Sequence, residues 1–254
     1  MSFFSRLGSY TGFLLASYIR SGRIAVEAVA TLVIYAMLFR PGVSLLLAGE
    51  FHAIAAMCML TLSFYTSVVL MGQCDRPQAY LLLTRRIGRS GYLLAHYISS
   101  LIITSGCYLA LSALCAATRS VSGFTLAAWA LGSLPLLLNV AILAAAVTLL
   151  APAVLSTSWR LVILAGVVLA FSESMFSTQT LRDMPPLLLR ILDLLQLVFS
   201  IPLLPVLTGF ALAASHDYRG AAMAIPFAQV SLMLGLLGAA LFVFSRREIT
   251  VRDA

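Results

Sequence analysis

Asp75, Arg76, Arg85, Arg86 and Arg89 fall within fifteen positions of a chain in which only 10% of residues are charged. They belong to DRPQAYLLLTRRIGRSGYLLAH, Asp75 to His96, between two long apolar runs. Pro77 suits an early helical position, where its missing N–H leaves no bond unmade, and Asp75 stands close by as a cap. Arg85 and Arg89, four apart, share a face if helix continues through them, and Gly88 leaves a break there equally open. A short charged helix between two membrane spans is a docking element for a soluble partner. The plainer reading is a basic loop that fixes topology and meets anionic lipid.

Other residues with chemical potential are few. Glu27, four after Arg23, reads as an intrahelical ion pair reaching for the interface, with a transport role as the alternative. Glu173, in AFSESMF, has no local partner and either lines an exit path or sits at the headgroups. Asn139, after Pro135, is expected to make an interhelical hydrogen bond at a kink rather than to bind substrate. GRSG at Gly88–Gly91 fits a pattern of intramembrane serine proteases. A nucleophile and its base belong at membrane depth, however, whereas Ser90 follows Arg89 in a basic loop, so the pattern is set aside.

Several chemistries are excluded outright. All sixteen basic residues are arginine. Without lysine there is no GxxxxGK[ST] phosphate loop and no Schiff base. Cys58, Cys74, Cys107 and Cys115 show no CxxC spacing, and His52, His96 and His216 are too scattered in sequence to suggest haem or metal ligation. No cofactor, no metal and no nucleic-acid partner is expected of this chain, and no cleavable signal peptide is read in residues 1–23.

The elements that must position these residues are membrane helices. The chain is 61% hydrophobic with a mean hydropathy of +1.03, against about 25% charged residues in an ordinary soluble domain. Runs of roughly 20 apolar residues are needed to cross a bilayer. Hydropathy predicts an all-α polytopic bundle, one domain over 1–254, with six spans near 22–39, 51–72, 92–116, 125–150, 159–176 and 223–245. Residues 1–21 read as an interfacial elbow helix or a tail, the arginines at headgroup level. In Leu187–Phe199, Arg190, Asp193 and Gln196 recur at three-residue spacing on a stretch of about 20 Å, too short to span. With Pro202 and Pro205 breaking the run, residues 187–215 read as an outer-side interfacial or re-entrant pair. Ser231, Gly235 and Ala239 form a small-residue stripe that suits close packing within the protomer or across a dimer.

Orientation follows from the arginines. An inside amino terminus leaves Arg40, Arg119, Arg182, Arg190 and Arg219 outside and the remaining eleven of sixteen in the cytoplasm, as the positive-inside rule favours. Both termini are then cytoplasmic, in a cell (inner) membrane.

Leu81–Ile102, LLLTRRIGRSGYLLAHYISSLI, resembles the loop between the second and third spans of type 2 permeases of ATP-binding-cassette (ABC) transporters. By that resemblance Asp75 and Arg76 match the charged start, and Leu82 and Leu83 the leucine pair. Thr84, Arg85, Ile87 and Arg89 match the turn, while Arg86 stands where proline is common. The elbow, the six spans, IPLLPVLTGFAL (Ile201–Leu212) and LFVFSRRE (Leu241–Glu248) are similar to the same family. The resemblance implies a coupling helix in loop 73–91 that docks into an ATPase subunit. The implied assembly holds two ATPase chains, which bind ATP and Mg, and a second permease copy or homologue. The activity expected is transport, with export of a hydrophobic or amphipathic cargo, and no catalytic residue in this chain. An ATPase-independent secondary transporter is the alternative, and a membrane-embedded enzyme ranks third.

Overall fold

The structure, a computed structural model, describes residues 3–40, 46–73, 88–118, 121–123, 125–170, 194, 197 and 200–246. Among them are helices α1 (Phe3–Arg20), α2 (Ile24–Ile34), α3 (Ala48–Met71), α4 (Gly88–Thr118), α5 (Leu126–Leu149), α6 (Thr157–Ala170), α7 (Leu204–Ser215) and α8 (Ala224–Arg246). A π-helical turn, Tyr35–Phe39, extends α2. Two-residue strands β1 (Leu46–Leu47) and β2 (Val121–Ser122) pair in parallel, Leu46 with Val121 and Leu47 with Ser122. This clasp joins the segments that lead into α3 and α5.

The all-α expectation holds. Four of the helices, α3, α4, α5 and α8 with its preceding turn, are long and apolar enough to cross a membrane. At 24 residues, α3 and α5 each rise about 36 Å, past the roughly 30 Å of a hydrocarbon core. A fifth candidate is the pair α1 and Ile24–Phe39, bent by 72° at Ser21–Arg23. The predicted span 159–176 appears as α6, whose 14 residues rise only about 21 Å; residues 171–176 lie outside the described set. Leu187–Phe199, with Arg190, Asp193 and Gln196, lies outside it too, apart from Leu194 and Leu197.

Local chemistry explains the helix starts. Thr125 caps α5 by accepting from the Ala128 N–H at 3.2 Å, and the Glu50 carboxylate reaches back to the Leu47 N–H at 2.9 Å. Pro202 and Pro205 interrupt the run as the sequence suggests: α-helical geometry at Ser200 gives way to a 3-10 turn at Ile201–Leu203, and α7 begins at Leu204, each proline standing where an absent N–H is harmless. Gly88–Gly91 is corrected: GRSG forms the first turn of α4, not a loop.

The bundle has two apolar cores. Phe51, Met59, Tyr108, Leu111, Leu136 and Val140 fill the half where α3, α5 and α8 begin. At the opposite end α1 crosses the bundle and seats Leu7, Tyr10 and Leu14 against Met71, Tyr92, Ala151 and Phe244. The stripe Ser231, Gly235, Ala239 faces outward instead of packing within the protomer, since α8 turns Gln229, Leu237, Ala240 and Phe244 inward.

α7, about 18 Å long, is wedged among α3, α5 and α8. Its first turn lies beside Asn139, midway along α5, and its end lies beside His52 at the start of α3. The wedge answers a defect in α5. Pro135 has no N–H, so the Leu131 carbonyl one turn earlier loses its helical donor. The Tyr218 hydroxyl, just past α7, donates to that carbonyl at 2.6 Å.

This accounting predicts coupling between Tyr218 and Pro135. Tyr218→Phe strands the Leu131 carbonyl and should cost about 1 kcal/mol or more. In a Pro135→Ala background residue 135 regains its N–H, and the same change should cost about 1 kcal/mol less. Unfolding of the four proteins in detergent measures the cycle, and strict additivity would show that Tyr218 does not serve the carbonyl.

Candidate functional site

Among the described residues, polar side chains are buried at several places, and three groupings hold a carboxylate, an amide pair or an imidazole pair, each set by which way a helix faces. The first lies at the α1–α2 bend. Glu27 is 0% exposed and does not pair with Arg23, which corrects the expected ion pair. α2 turns the carboxylate inward, where the Tyr18 hydroxyl donates to Oε1 and Thr66 donates to the same oxygen at 3.1 Å. Among the described residues Oε2 has no hydrogen-bond partner. At the next residue of α3, Ser67 shares a hydrogen bond of 2.6 Å with Ser100 of α4.

The second grouping joins α5, α7 and α8. Asn139 makes the expected interhelical bonds: Nδ2 donates to the Val206 carbonyl at 3.1 Å and Oδ1 accepts from Gln229 Nε2 at 2.7 Å. Gln229 Nε2 also donates to the Pro135 carbonyl at 3.1 Å. Gly209 of α7 makes this possible, because a Cβ there would collide with the Gln229 amide. Interhelical bonds of this kind contribute roughly 0.6–2 kcal/mol each in a membrane. Gln229 was not singled out in the sequence, although it is a lone amide in an apolar span.

The third grouping brings together two histidines that lie far apart in sequence. His52 and His216 meet with ring centroids 4.8 Å apart, and His216 Nε2 lies 3.1 Å from His52 Nδ1. His52 Nδ1 also lies 2.7 Å from the Ala48 carbonyl, which can only accept, so Nδ1 carries the hydrogen. His216 Nε2 is therefore the acceptor, and only a neutral His216 completes the pair. Gly132 of α5 leaves room for both rings, since a Cβ there would stand 2.5 Å from His52 Cδ2 and 2.6 Å from His216 Nε2. His216 holds a left-handed backbone, φ 56°, as it ends α7. His96 stays apart, its Nδ1 3.0 Å from the Tyr92 carbonyl. Among the described residues no three His, Cys, Asp or Glu side chains gather as a metal site.

Of the proposed coupling segment, only Arg89 is described. It stands in the first turn of α4, where Nη1 donates to the Ser245 carbonyl at the end of α8, 3.3 Å away. Asp75, Arg76, Leu82, Leu83, Thr84, Arg85 and Arg86 lie outside the described residues, as does Glu173. Glu27 and Asn139 are in separate groupings and do not form one site.

No family model matches the chain, and no curated protein or solved structure matches it. The class that helix length and composition define is a membrane-embedded helical protein.

The histidine pair makes the fold pH-sensitive. Burial pushes His216 below its ordinary 6.5. Protonating it sets N–H against N–H at His52. Because the folded state favours the neutral ring, this stabilisation is full above about pH 6.5 and is lost as pH falls below that value. Neighbouring carboxylates do not offset this. Asp217 faces Arg219, 3.7 Å away, and Glu50 is engaged by Leu47. Thermal unfolding in detergent from pH 8 to 5 should show a fall that His216→Asn, which tolerates left-handed backbone, flattens. Identical pH profiles would remove the pair as the cause.

Proposed function

We propose that the chain is the transmembrane subunit of an ABC transporter, an exporter of a hydrophobic or amphipathic cargo, driven by separate ATPase chains. The observation that carries the reading is the likeness of Leu81–Ile102 to the coupling loop of type 2 permeases. The sharp bend between α1 and α2 is consistent with an elbow ahead of the first span. In this reading six spans place both termini in the cytoplasm, and two ATPase chains holding ATP and Mg dock on loop 73–91. ATP closes the ATPase pair, and the coupling segment passes that movement to α4. Arg89, tied to the end of α8, links that segment to the last span. Walls this apolar suit a cargo that partitions into lipid. The outward-facing stripe on α8 favours an assembly with a second permease copy or homologue over packing within the protomer.

A secondary transporter is the second reading. It is favoured by a half-length helix wedged among spans and by a buried carboxylate with one oxygen unpartnered.

The complex separates them. The chain should co-purify with a Walker-motif ATPase, and Arg85→Glu with Arg89→Glu should reduce that association at least tenfold and abolish ATP-driven transport in vesicles. Arg85→Glu alone keeps the Arg89–Ser245 contact and should still weaken docking. Undiminished association and transport in these variants would reject the coupling assignment. Transport driven by a proton gradient with no ATPase present would establish the second reading.

A further inference from the structure

A groove of about 510 Å³ runs between α2 and α4, bounded at one end by the last turns of α1. Its wall is built from Ile19, Ile24, Leu32, Ile102 and Leu114, with Gly106 on its floor. The hydroxyl of Thr31, which also lines it, is spent on the Glu27 carbonyl at 2.7 Å. From Ile102 to Leu114, α4 rises about 18 Å, close to the roughly 15 Å depth of a single leaflet. The groove is thus long, narrow and apolar, with nothing to orient a polar molecule along its length.

Arginines stand next in sequence to the wall at the α1–α2 end, where Arg20 and Arg23 flank the turn. Among the described residues no carboxylate lies within 4.0 Å of either guanidinium. Glu27, the nearest acid in sequence, is turned inward onto Tyr18 and Thr66. An apolar slot one leaflet deep, with Arg20 and Arg23 next in sequence to its wall at the α1–α2 end, is complementary to an anionic amphiphile. An extended polypeptide laid in it would bring backbone N–H and C=O groups against a wall that cannot satisfy them.

We propose that this groove binds one acyl chain of an anionic phospholipid whose phosphate is held by Arg20 and Arg23. The site does not depend on the transport reading, and its occupancy is measurable without an ATPase.

Native mass spectrometry of the full-length protein in detergent provides the test, with phosphatidylglycerol and phosphatidylcholine of the same acyl composition as probes. The wild type should retain phosphatidylglycerol about tenfold over phosphatidylcholine. Arg20→Gln with Arg23→Gln should erase that preference. Gly106→Leu should reduce retention of phosphatidylglycerol by a similar factor. Its fold should be kept, because nothing lies within 4 Å of where the new Cβ enters the groove, and leucine favours helix over glycine. Equal retention of the two lipids by the wild type overturns the proposal, as does a preference that survives loss of both arginines. Unchanged lipid retention in Gly106→Leu also overturns it, and if the dimer fraction shifts instead, the groove belongs to a second copy.

Discussion

A proline inside a membrane helix leaves one carbonyl without its donor, and in hydrocarbon no water is there to supply another. Much of the architecture around α7 answers that constraint at Pro135. The Leu131 carbonyl is met by Tyr218, and the Pro135 carbonyl by Gln229. Tyr218 lies between α7 and α8 and Gln229 within α8, so these bonds to α5 fix where the two helices sit. Asn139 completes the arrangement by holding the first turn of α7. The short helix therefore cannot be removed without reopening the defect. It has too few residues to span and owes its position to partners.

The two ends of the bundle differ in kind. Where α1 crosses, the contacts are large and apolar, and the buried carboxylate of Glu27 is turned inward onto a phenol and a hydroxyl. Where α7 ends, polar contacts are added to an apolar core, with two imidazoles and a glycine fitted beside Phe51. Both ends resist deformation through packing, and the second also through hydrogen bonds whose geometry depends on proton occupancy.

The all-α class and four span positions were legible in the sequence, since a run of some twenty apolar residues has few other fates. So was the partnering of Asn139, because an amide in an apolar helix needs a neighbour. The fate of Glu27 was not. Spacing of four from Arg23 suggests a pair, but rotation of α2 about its axis decides which way the carboxylate faces, and that depends on Tyr18 and Thr66 in other helices. His52 and His216 are 164 residues apart, and no local pattern brings them together; Gly132, which lets them meet, looks like any glycine in a span. Tyr218 had a readable signal that went unused. Pro135 announces a stranded carbonyl at Leu131, and a donor had to exist somewhere.

The distance in sequence between α5 and its donors also sets an order of events. Leu131 and Tyr218 are 87 residues apart, and Asn139 and Gln229 are 90 apart. At about 5–20 residues per second, a ribosome needs roughly 4–18 s to supply those partners after α5 has been made. Throughout that interval α5 carries an unmet carbonyl and a bare amide in an apolar setting. Nascent α5 therefore has reason to linger beside the insertion machinery, or in contact with another helix, until the last span emerges. The bundle closes from its carboxyl-terminal side, with α7 and α8 arriving as the pieces that release it.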